Sequence, residues 1–180
     1  MEIKIYPDPI LLENCNDVVN IDEDLVSTAK EMIDTMKSVE GIGLAAPQVG
    51  ILQRFFVCID FSDENREESL VLINPQITKK EGRIESKEGC LSIPGFYEYV
   101  YRYENIEIKA LDLDGKEVVY NPQGLQSVVF QHEYDHLDGR ARSMCEILCP
   151  SCLNYLHLWP CVSSSLSPPT NRVSASPANL

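Results

Sequence analysis

The sequence predicts an α+β fold, antiparallel β-strands packed around a central helix, with an amphipathic helix near the N-terminus. Three observations predict it. Helical periodicity occupies two well-separated stretches, 22–39 and 122–139. Between them lie short runs rich in Val, Ile, Phe and Tyr, so helices flank the strands instead of alternating with them. At 180 residues, with 44% hydrophobic and 24% charged content, the chain suits one domain with a substantial core.

The first helix, DEDLVSTAKEMIDTMKSV (22–39), puts Leu25, Ala29, Met32, Ile33 and Met36 on one face at spacings of three and four. Asp22 is its expected N-cap, acids fill the first turn, and Gly41 follows the end. GIGLAAPQVG (41–50) holds three glycines and a proline, which predicts a loop or a distorted extended segment. RFFVCID (54–60), SLVLINP (69–75) and EYVYRY (98–103) are expected strands. IEIKALDLDGKEVVY (106–120) reads as a hairpin turning at Asp114-Gly115. PQGLQSVVFQHEYDHLDG (122–139) is the second helix, with Pro122 in its first turn and Gly139 as terminator.

Composition changes abruptly near residue 140. Residues 141–180 hold four of the seven cysteines, eight serines and five prolines but a single acid, Glu146. This divides the chain into a main domain, 1–140, and a C-terminal extension, 141–180, expected to be disordered from about 162.

A formal charge of -13 argues against nucleic acid as a direct partner, because phosphate contacts need clustered Lys and Arg. MEIKIYPDPI at the start shows no basic region before an apolar run, and no stretch approaches the roughly 18 apolar residues of a membrane span. The expectation is a cytoplasmic protein with no membrane partner and with reduced thiols.

QHEYDH (131–136) carries the chemistry. Positions four apart on a helix share a face about 6 Å apart along the axis, so His132 and His136 can address one ion with Glu133 alongside as a base. A catalytic divalent site wants three protein ligands and one open position. Arg142 stands where one protease class keeps a third histidine, and Glu146 follows too closely to return on a separate helix, so the third ligand is sought upstream. SKEGCLSIPGF (86–96) offers Cys90, in an extended segment before a turn, beside a glycine that lets backbone approach a ligand. A buried cysteine acting as a small hydrophobe is the alternative at that position.

GIGLAAPQ (41–48), EGCLS (88–92) and QHEYDHLDG (131–139), in that order, resemble the signatures of the peptide deformylases, and the likeness runs from YPDPIL to about Gly139. The resemblance implies removal of the N-formyl group from formylmethionyl nascent peptides, with release of formate. It implies Cys90, His132 and His136 as ligands of Fe(II), with Zn(II), Ni(II) or Co(II) as substitutes. It implies Glu133 as the proton carrier, with Gln48 and the backbone N–H of Leu91 stabilising an oxyanion. Gly41, Gly43, Glu88 and Gly89 are expected to meet the substrate, and Ile42, Leu125 and Val129 to wall a methionine pocket. Family members often continue past HLDG into an apolar strand and a charged helix that in some contacts the ribosome. RARSMCEILCPSCLNYLHLWPC replaces that pattern here and reads as a diverged or out-of-frame extension; Cys149, Cys152 and His157 within it, a CxxC without a second close pair, are a weak signal for a second zinc site. Two other functions compete: a zinc peptidase built on HExxH, and a deformylase-like protein that binds metal and formylated peptide without turnover.

Overall fold

The computed structural model describes residues 1–140, apart from 64, 66 and 67. The expected disorder of the extension lies outside the described residues, as do Cys149, Cys152 and His157.

Helix α1 (Glu23–Ser38) begins where Asp22 accepts a hydrogen bond from Leu25 N at 2.9 Å. Leu25, Ala29, Met32 and Met36 are buried as the periodicity requires. Ile33 is only half buried, and Thr35 takes an inner position by donating to the Glu31 carbonyl and accepting from the N-terminal amine. Of the two readings of 41–50, a loop or a distorted extended segment, the structure has the second. Gly43–Ala45 forms a short strand, β1, and Ala46–Val49 a 3-10 turn that Gly50 ends with φ 86.

The remaining strands are β2 (Phe55–Ile59), β3 (Ser69–Glu81), β4 (Ile84–Cys90), β5 (Ile93–Arg102), β6 (Asn105–Leu111) and β7 (Glu117–Tyr120). With β1, four of them form one five-stranded antiparallel sheet in the order β1-β2-β3-β6-β7, while β4 and β5 make a separate hairpin. The turn at Asp112–Lys116 matches the predicted hairpin. β3 runs six residues past its predicted end at Pro75. Asn74 there adopts φ 49 inside a bulge, and its side-chain amide both donates to and accepts from the Val18 backbone. Helix α2 spans Gly124–Leu137, so Pro122 precedes the helix instead of opening it; its carbonyl accepts from Ile106 N.

Alternation along β2 explains the layering. Phe55, Val57 and Ile59 face α1 with Leu44 and Ile73, whereas Phe56 and Cys58 face α2 with Leu72, Ile108 and Phe130. The sheet therefore carries a helix on each face, and its β1 edge lies beside α2.

Candidate metal centre and cleft

His132 and His136 share one face of α2, with ring centroids 5.1 Å apart. β4 ends at Cys90, whose sulfur lies 3.3 Å from His136 Nε2. Glu88 and Cys90 are buried because they fall on the inner side of the β4 alternation. The turn that follows is at Leu91–Ser92, and Ile93-Pro94 already belong to β5. One ligand atom each from Cys90, His132 and His136 lies within 4.8 Å of the others. A thiolate and two imidazoles clustered this closely fit a divalent transition metal.

The ring of His132 is braced from behind. Its Nδ1 lies 2.9 Å from Glu88 Oε2 and donates to it, since an ionised carboxylate only accepts, which leaves Nε2 as the free ligand atom. Arg102 grips the same carboxylate through Nε at 2.8 Å and Nη2 at 2.9 Å, and its Nη1 reaches Asp135 on α2 at 2.5 Å. Burial works against charge on Glu88, but His132 and Arg102 outweigh it and hold the carboxyl below its ordinary value. His136 is buried, and burial above all, with the Arg102 charge adding to it, holds it well below its ordinary value. Its neutral ring is the form that ligates.

Glu133 is 4% exposed, and its Oε2 has no hydrogen-bond partner among the described residues. Burial pushes the carboxyl up to about 7, His132 and Arg102 pulling against the rise and Glu88 adding to it. Its Oε1 occupies the space over Gly43, where a Cβ would fall 2.2 Å away. Gln48 is fully buried: its Oε1 accepts from Ala45 N at 2.8 Å, and its Nε2 points at Ser92 Oγ (3.2 Å) and Cys90 Sγ (3.5 Å). Leu91 sits in the turn with its side chain against Gly41, where a Cβ would come within 2.9 Å. The N-terminal strip backs this region, Lys4 N donating to the Gln48 carbonyl and Tyr6 N to that of Ser92.

A cleft of about 400 Å³ opens over these groups, between Glu40–Gly43 on one side and the β4–β5 hairpin on the other. Every expected site residue lines it except His136, which is buried beside Cys90. Ile42 and Leu125 are about half exposed in its walls, while Val129 also belongs to the core beneath. Glu88 borders the cleft with both its oxygens bonded to Arg102 and His132. Arg102, Asp135 and Ser92 were missed. Asp135 stands three residues after His132 on the helix and Ser92 closes the EGCLS motif, which were readable signals; Arg102 had none.

The polypeptide deformylase family model matches residues 1–144. A peptide deformylase from Thermodesulfovibrio yellowstonii is 49% identical over 140 residues, which is 77% of this chain and 84% of that protein. One from Alkalilimnicola ehrlichii is 48% identical over 78% of each. Among solved structures, the peptide deformylase from Legionella pneumophila superposes with a TM-score of 0.76 at 38% identity, covering 83% of this chain and 86% of that one. The Thermotoga maritima peptide deformylase gives 0.72 at 39% identity, over 77% and 91%.

Proposed function

The chain belongs to the polypeptide deformylase family, and on that premise we propose how its residues remove the N-formyl group from formylmethionyl nascent polypeptides. The observation that carries the reading is the convergence of Cys90, His132 and His136 at the head of a cleft, with Glu133 beside them. α2 is read as the central metal-holding helix, and Fe(II) as the ion. When bound, the ion acts as a Lewis acid and brings the pKa of water near neutrality. Glu133 takes a proton from the attacking water and returns it to the amine nitrogen as the C–N bond breaks, leaving formate and a free N-terminus.

Gln48 Nε2 and the Leu91 N–H are assigned to the oxyanion that develops on the formyl carbon, and one such donor is commonly worth about 2.7–4 kcal/mol of barrier. The backbone at Gly41, Gly43 and Gly89 pairs with the extended peptide as an added strand would. Ile42, Leu125 and Val129 receive the methionine side chain. Residues 1–140 are the catalytic unit, and the enzyme works where nascent chains are made, in the cytoplasm.

The test is formate release from formyl-Met-Ala under anaerobic conditions, with an unformylated internal peptide as control. Glu133→Ala is expected to keep near-stoichiometric metal and lose turnover. Cleavage of the internal peptide would favour a peptidase instead. An empty site in Glu133→Ala would show that the glutamate is a ligand.

A further inference from the structure

A row of aromatic side chains runs away from the cleft, and the chemistry above makes no use of it. Tyr97, Tyr99 and Tyr101 lie on the outer side of β5, exposed by 63%, 65% and 60%, and Tyr103 follows just past its end. Half of the chain's eight tyrosines therefore fall between positions 97 and 103, at every second residue, on one side of one strand. An exposed run of large side chains of this kind marks an interaction surface.

The strip is continuous with the cleft. Tyr97 lines the cleft and covers Gly89, where a Cβ would lie 2.8 Å from the ring. Lys87 faces Tyr99 across the hairpin, and Glu85 faces Tyr101. Cations steady the rings: Lys87 Nζ is 5.4 Å from the Tyr97 centroid, and the Arg83 guanidinium 3.9 Å from that of Tyr101.

We propose that this strip extends the substrate track, so that the polypeptide beyond its first few residues lies along Tyr97, Tyr99 and Tyr101. The proposal rests on the reading of the cleft as the deformylation site. At about 3.3 Å per residue, Tyr99 and Tyr101 stand roughly 7 and 13 Å past Tyr97, a span that about four extended residues cover. The occupant is a polypeptide because the strip mixes charges of both signs in a chain of net charge -13, which suits a phosphate backbone poorly. Nascent chains differ in sequence after their first residue. Tyrosine meets that need with a broad apolar face, few rotatable bonds to order, and a hydroxyl for any backbone carbonyl.

The experiment measures kcat and KM for formate release from formyl-Met peptides of two to eight residues, with wild type, Tyr99→Ser/Tyr101→Ser and Tyr99→Phe/Tyr101→Phe. Wild-type KM is expected to fall by roughly three- to tenfold beyond about four residues, at constant kcat. The serine variant should match wild type on the dipeptide and in melting temperature but lose that gain. The phenylalanine variant should keep most of it. A wild-type KM independent of length, a gain that survives the serine variant, or an equal loss on the dipeptide would each overturn the proposal. So would self-association that the serine variant abolishes, which would assign the strip to a second copy. Failure of wild type to hydrolyse the dipeptide would sink the cleft reading, whereas dipeptide turnover without length dependence would sink the strip alone.

Discussion

Gly43→Ala tests whether the position of Glu133 is set by the bare backbone of β1. An added Cβ would lie 2.2 Å from Oε1, 2.8 Å from Cδ and 2.9 Å from Cγ of Glu133, where ordinary contact begins at 3.4 Å. The overlap with Oε1 is thus about 1.2 Å, and because Cγ is also too close, rotating the carboxylate does not relieve it. Gly43 has no positive φ, so alanine suits the backbone and the cost falls on the contact alone. A displacement of about 1 Å in a reacting group commonly costs on the order of 100-fold in rate. The expected result is a kcat for formyl-Met-Ala lowered by about that factor, with metal content unchanged because Cys90, His132 and His136 are untouched. Overpacking of this kind also costs about 1–3 kcal/mol of stability. Formate release is followed by a coupled dehydrogenase assay and metal by elemental analysis. Wild-type kcat in a folded Gly43→Ala protein would refute the reasoning, as would loss of metal at normal stability.

Two further substitutions probe the brace and the pocket. Arg102→Ala leaves the Glu88 carboxylate, 5% exposed, without its main counterion. Breaking a buried pair costs about 3–5 kcal/mol, and half-open Asp135 moves the expectation to the low end. Urea unfolding should show the loss, and chelator competition should show metal held about 10- to 100-fold more weakly as His132 loses its support. Unchanged values in both would refute the brace. Leu125→Ala removes a side chain that is 50% exposed in the cleft wall, so stability should hold. Discrimination for formylmethionine should fall by about 1–3 kcal/mol, read as a higher KM, and a melting-temperature loss without a KM change would place Leu125 in the core instead.

The helices were legible because their signals are local. Asp22 caps α1 as its position predicts, and His132 with His136 share a face because four residues make nearly one turn. β4 was not legible as a strand. IESKEGC alternates, but after Ile84 its inner positions are Ser86, Glu88 and Cys90, so the period-two pattern lacks a continuous aliphatic face. The same substitution of polar for apolar is what builds the centre: the strand faces a metal site and an arginine, not a core. The clamp itself is long-range. Arg102 lies 14 residues from Glu88 and 33 from Asp135, separations at which no local pattern pairs charges. The early stop at Pro75 has a different cause: proline normally ends a strand, and here a bulge held by Asn74 and Val18 lets it continue.

Cys90 and His136 are 46 positions apart and belong to different units, the hairpin and the sheet-covering helix. An ion shared between them is therefore also a staple, closing a long loop whose freedom would otherwise return to the chain. Oxidation of that one sulfur would remove a metal ligand and the staple together, leaving the Glu88–His132 and Arg102–Asp135 pairs to hold the hairpin to α2.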